Sequence, residues 1–160
     1  MRQTRTRQSS RRTQELGNGV DRFDFRFAPA YRRLGLIFGV MPRTAWVQVG
    51  RETLEAHFGP WRVTTPLRNI AGIEVTGPYA FIKTAGPARL AVTDRGLTFA
   101  TNGERGVLIK FRDSVPGLDP LGVLHHPELT VTVADVDGLA ALLRSHLTDA
   151  AAAHRDDSEF

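Results

Sequence analysis

From Asp21 to Val133 the apolar residues recur again and again at every second position, the period of a β-strand with one buried face. Phe23, Phe25 and Phe27 alternate with Asp24 and Arg26 in the first such stretch. Trp46 to Val49 forms a second, and Leu54, Ala56 and Phe58 alternate with Glu55 and His57 in a third. Trp61, Val63 and Thr65 make a fourth, reached through a Gly59-Pro60 turn. Ile73 and Val75 flank Glu74 in a fifth that stops at Gly77-Pro78. Leu90 with Val92, Leu97 with Phe99, and Val107 with Ile109 and Phe111 continue the series, and Leu129, Val131 and Val133 close it.

Between these runs sit Asp94-Arg95-Gly96 and Asn102-Gly103, residues that tolerate the positive φ of tight hairpin turns. Strands joined so closely are expected to be antiparallel neighbours, which gives a β-meander with one face buried and one wet. The period then changes. Asp135 is a good N-cap with Asp137 in the first turn, and Val136, Leu139, Ala140, Leu143 and Leu147 recur at helical spacing. They predict an amphipathic helix of about three turns, its apolar stripe buried on the sheet or across an open barrel mouth.

Short antiparallel strands followed by one C-terminal helix are the element order of the pleckstrin-homology-like (PH-like) barrel. The stretch from Trp46 to Gly59, running into Trp61 to Ile70, resembles bacterial PH-like domains. Val75 to Tyr79, Arg89-Leu90, Asp94 to Phe99 and Leu129 to Asp135 resemble an uncharacterised actinobacterial family of that kind. The resemblance covers roughly residues 22–148. It implies a mainly β fold, an antiparallel PH-like barrel or sandwich capped by one C-terminal α-helix, and a role in binding rather than a specified ligand.

Charge divides the chain into three. Residues 1–20 carry five Arg and one Glu, a basic arm without apolar periodicity that is expected to be disordered. Residues 149–160 carry four acids and one Arg and are expected to form a flexible acidic tail. The domain proper, residues 21–148, has a net charge of only +3, so the pI near 10.3 is not the footprint of a nucleic-acid-binding surface, and no nucleic acid is expected as a partner. Ser10-Arg11-Arg12-Thr13 resembles a twin-arginine export signal, but charged Asp21 to Arg26 follows where an apolar segment would be needed. Cysteine is absent. Disulfides, thiolate catalysis and cysteine-ligated metal are thereby excluded, and a cytoplasmic protein is expected.

The motifs of chemistry are missing. No Gly-x-Gly-x-x-Gly or Walker loop appears, and Ser114 lacks a nucleophile elbow. His125-His126, with His57, Asp119 and Glu128, lack metal-ligand spacing and are expected to be polar loop residues around a Pro/Gly-rich stretch. Tyr79 and Phe81 are expected to be core or rim aromatics, and Lys83, Arg89 and Arg95 a solvated strand face. No catalytic residue, metal or cofactor is expected.

One segment stands out. Residues 34–41 are uncharged and bracketed by Arg32, Arg33 and Arg43. In a loop after the first strand, Arg32, Arg33, Phe38 and Arg43 are candidate ligand or membrane contacts, with apolar tips dipping into lipid while arginine meets phosphate. The basic pattern of phosphoinositide-binding PH domains is not present there. The competing expectation is that Leu36, Ile37 and Phe38 plug one end of the barrel. The functional expectation is a non-enzymatic binding module for a protein or peptide partner, peripheral to an anionic membrane. Its alternatives are a small split-barrel oxidoreductase using a flavin or deazaflavin, and a carrier of a small apolar ligand.

Overall fold

The alternating side chains form two sheets whose apolar faces meet. The computed structural model describes residues 19–77, 88–90, 97–99, 101, 105–117, 121 and 123–156. Strands β1 (Asp21–Asp24), β2 (Ala45–Val49), β3 (Thr53–Phe58) and β4 (Trp61–Pro66) lie side by side in chain order, each antiparallel to the next. A 3-10 turn, Leu67–Asn69, then carries the chain to the second sheet. There β5 (Ile70–Thr76), β6 (Ala88–Leu90), β7 (Leu97–Phe99), β8 (Gly106–Pro116) and β9 (His125–Val131) lie in the order β5-β8-β9-β7-β6.

The burial alternation matches the sequence period. In β2 the residues Ala45, Val47 and Val49 are buried, and in β3 so are Leu54, Ala56 and Phe58. On the second sheet Val107, Ile109, Leu129 and Val131 are fully buried. Phe58 stacks on Phe99 with ring centroids 5.0 Å apart and planes 7° from parallel, while Phe25 tilts against Phe58 at 5.2 Å. The outer face of the first sheet is polar. Trp46 lies there between the Arg22 guanidinium, 5.2 Å from its ring centroid, and the stacked His57 ring.

Both sheets share the chain just after β1. Phe25 donates its N–H to the Ala45 carbonyl (3.4 Å) and forms a bridge with Val133, and the Ala134 N–H donates to the Asp24 carbonyl (2.9 Å). Two buried threonines continue the join. The Thr101 hydroxyl donates to the Arg26 carbonyl (2.6 Å), and the Thr101 N–H donates to the Thr132 hydroxyl oxygen (2.8 Å).

Helix α2 (Val136–Asp156) packs mainly along β5, with further contact to β8 and the 3-10 turn. Asp135 caps it as expected, its Oδ1 accepting from the Gly138 N–H at 2.9 Å. Arg105 forks onto the Asp137 carboxylate at 2.8 and 3.1 Å. That hydrogen-bonded pairing holds the Asp137 carboxyl below its usual range and raises the guanidinium above its own. Val136, Leu139, Ala140 and Leu143 are buried, and Leu142 and Leu147 are packed partly against the core.

The structure corrects the sequence expectation at five points. The sheets form two open rows among the described residues, not a closed barrel. The meander fails at β7, which pairs with β9 in parallel instead of with the next strand in the chain. The reason is that β8 already has β5 on one side and β9 on the other, so β7 must add outside β9. His125 and His126 open β9 rather than lying in a loop, and His126 is buried. The last helix is longer than the three turns expected, running on through Asp156. Finally, the loop expected after β1 contains a helix, α1 (Pro29–Ile37). The arm to residue 18, the segment around Tyr79, Phe81 and Lys83, and Asp119 lie outside the described residues.

The Leu143 side chain is fully buried between α2 and the sheet. Leu143→Ala is expected to cost about 2–5 kcal/mol in a urea titration, as truncations of buried leucine generally do. A cost below about 0.5 kcal/mol, the range of ordinary surface substitutions, would show that the helix does not depend on this contact.

Candidate functional site

Helix α1 begins with Pro29 at its first turn, where a missing N–H costs nothing. Its approach is fixed by the Ala28 N–H, which donates to the Thr101 carbonyl at 2.9 Å. Its end is tightly wound. The Phe38 and Val40 N–H groups both donate to the Gly35 carbonyl, at 3.0 and 2.8 Å, and the Gly39 N–H donates to Leu36. The following turn is closed by Thr44, whose hydroxyl accepts from the Met41 N–H (2.9 Å) and donates to the Gly39 carbonyl (2.6 Å).

Two glycines make this packing possible. A Cβ on Gly35 would lie 2.5 Å from the Val40 carbonyl oxygen. Gly59, at φ +61°, lies under Val40, and a Cβ there would come within 2.8 Å of the valine methyl. Val40 is thus driven inward, to 1% exposure. Its neighbours go outward. Leu36 is 66% exposed, Ile37 76% and Phe38 47%, with Met41 beside them. Apolar side chains held in the open by a hydrogen-bonded frame form a patch of the kind that marks an interaction surface.

These exposures rule out the barrel-plug expectation for Leu36, Ile37 and Phe38, since Val40 is the residue that goes inside. The four candidate contacts are brought together only in part. Arg32 and Arg43 line one shallow groove of about 420 Å³ with Phe27, Leu36, Val40, Met41 and Pro42. Arg33 is exposed on α1 and Phe38 caps it, both beside that groove rather than lining it. Among the described residues no carboxylate lies within 4 Å of Arg32, Arg33 or Arg43. From residue 27 to residue 50 the sequence holds three arginines and not one acid. The field around α1 and its turn is therefore positive.

The described members of the candidate metal constellation, His57, His125, His126 and Glu128, are not brought together as a ligand set. Among the described residues no three His, Asp or Glu side chains could hold a metal together. His57 instead stacks on Trp46 at 5.1 Å, its Nδ1 3.4 Å from the Thr44 carbonyl. Sequence reading missed α1, although Pro29 at its start and Gly39 just beyond its end are the residues that mark a helix's two termini. No family model, curated protein or solved structure matches the chain.

Gly35 offers a direct test of the frame. Alanine is favoured over glycine inside a helix by about 1 kcal/mol, but here its methyl meets a backbone carbonyl that cannot swing aside. Gly35→Ala is expected to destabilise by about 1–3 kcal/mol in denaturant titration, the range of overpacked sites. A gain in stability would show that the turn around Val40 is loose.

Proposed function

We propose that the protein is a non-enzymatic PH-like interaction module that docks peripherally on an anionic membrane through α1. The observation that carries this reading is the exposed Leu36, Ile37 and Phe38 cluster framed by Arg32, Arg33 and Arg43, with no acid between Asp24 and Glu52. Apolar tips can enter the acyl boundary while guanidinium groups stay at phosphate depth, so both parts of the patch are satisfied at once. A rigid frame supports this, because no ordering cost is added when the tips insert. The PH-like part of the reading is supported by the order of elements, antiparallel strands first and one C-terminal helix last. Among the described residues no helix is long and apolar enough to cross a membrane, so such an association would be peripheral where helices are concerned.

Binding to vesicles containing anionic lipid should then have two separable parts. Each basic residue near the surface contributes roughly 1 kcal/mol, which fades as salt rises. The apolar part persists in salt. Arg32→Glu with Arg33→Glu is expected to weaken sedimentation with anionic vesicles at low salt. Phe38→Asp is expected to weaken it at every salt concentration, which the basic N-terminal arm cannot mimic. If Phe38→Asp sediments like the wild type, α1 is not the docking face.

The oxidoreductase alternative is separated by colour. The purified protein is expected to have no visible absorption, and a yellow protein carrying a bound chromophore would favour the flavin-dependent reading.

A further inference from the structure

At the opposite end of the first sheet a second and larger groove opens. Strand β2 starts beside the α1 turn at Ala45 and ends at Val49, four residues later, so roughly 13 Å of strand separates the two places. The groove has a volume of about 880 Å³ and lies between the turn after β2, the 3-10 turn, β8 and the C-terminal half of α2. Its apolar lining includes Leu67, Ile70 and Leu147, and three arginines, Arg51, Arg68 and Arg112, stand around it.

Those arginines come from separate elements, and backbone ties hold the elements together. The Leu67 N–H donates to the Glu52 carbonyl at 2.8 Å, fixing the 3-10 turn to the turn that carries Arg51. Asn69 clamps β8 from the other side. Its amide donates to the Asp113 carbonyl (2.9 Å), and its Oδ1 accepts from the Asp113 N–H (2.8 Å). This clamp falls where β8 shifts register against β9, between Lys110 and Val115. Such irregularities re-aim side chains out of the ladder, and here Arg112 is turned to lay its Nε against the Arg68 carbonyl at 3.2 Å. Among the described residues none of the three guanidinium groups has a carboxylate within 4 Å. Glu52 and Asp149 also line the groove, which leaves an excess of one positive charge with His146 neutral.

We propose that this groove is the docking site for an acidic peptide segment of a partner protein. Its carboxylates would meet Arg51, Arg68 and Arg112, and one apolar side chain would rest on Leu147 and Ala150. A peptide suits the groove because its three arginines come from three separate elements and share the lining with apolar side chains, so charges spaced along a chain can match them. The site is concave and lies at the far end of the strands from the α1 face, so a membrane held by α1 would leave it accessible. Charge excludes the chain's own N-terminal arm as the occupant, since residues 1–18 carry five arginines against one Glu. The proposal is independent of the membrane reading and would stand if α1 bound no lipid.

The test is a fluorescence anisotropy titration of the full chain with a panel of labelled nine-residue peptides. In each, Asp or Glu residues are spaced at two, three or four positions around a central Leu or Phe, and a matched set carries Asn and Gln instead. At least one acidic peptide is expected to bind, and its Asn/Gln counterpart to bind far more weakly. Arg68→Glu and Arg112→Glu should each weaken binding by roughly tenfold or more, the loss of a charge-assisted hydrogen bond, whereas Arg33→Glu should leave it unchanged. Amide NMR shifts on adding the peptide are expected at residues 51–52, 67–70, 112 and 146–151. The proposal is overturned if no acidic peptide binds at about 1 mM, the weakest range of specific recognition. It is equally overturned if the shifts gather on α1, or if Arg33→Glu weakens binding as much as Arg68→Glu does.

Discussion

Phe58 stands between two other rings, Phe25 from the end of the first strand and Phe99 from the opposite sheet, with centroids 5.2 and 5.0 Å away. This aromatic contact between sheets is what the remaining architecture must respect. Phe58 ends β3, so the β3–β4 turn has to form immediately beyond it, and Gly59 is placed directly beneath Val40. Phe25 follows β1, so the chain must pass from one sheet to the other there, and it does so by pairing with both Ala45 and Val133. Buried aromatic pairs are worth more than their area alone, and a stacked pair such as Phe58 and Phe99 also fixes the spacing between layers.

The polar groups near this junction have partners of their own. Thr101 and Thr132 are buried, and a buried hydroxyl without a partner would cost about 1–3 kcal/mol. Here the Thr132 hydroxyl accepts from the Thr101 N–H and the Thr101 hydroxyl donates to the Arg26 carbonyl, so hydrogen bonds that satisfy the core also tie down the segment leading into α1. The Leu36, Ile37 and Phe38 side chains remain outside, whereas Val40 and Ala45 of the same stretch of chain are buried.

The two surfaces differ in how each is built. The α1 face is local, drawn from one continuous segment with its arginines already close in sequence. The far groove is concave and assembled from four places in the chain, joined by the Leu67 and Asn69 hydrogen bonds and a register shift in β8. Both are carried on the same pair of sheets, and each holds arginines that have no carboxylate within 4 Å among the described residues.

What the sequence determined alone is what local periodicity and caps can encode. Alternation in Leu54, Ala56 and Phe58, and in Val107, Ile109 and Phe111, named the buried faces, because successive side chains of a strand must point to opposite sides. Asp135 marked where the last helix begins, because a carboxylate there meets a free N–H. The Arg32, Arg33 and Arg43 bracket was visible for the same reason of nearness. Only tertiary structure decided the rest. Parallel pairing of β7 with β9 depends on which edge of the sheet is free, and no residue of β7 encodes that. That Val40 is buried while Leu36 faces water cannot be read from composition, since both residues are apolar. Arg51, Arg68 and Arg112 were invisible as a group because hydrogen bonds between distant parts of the chain bring them together, from the Leu67 N–H to the Glu52 carbonyl and between the Asn69 side-chain amide and the Asp113 backbone, and nothing local in the sequence marks such pairings.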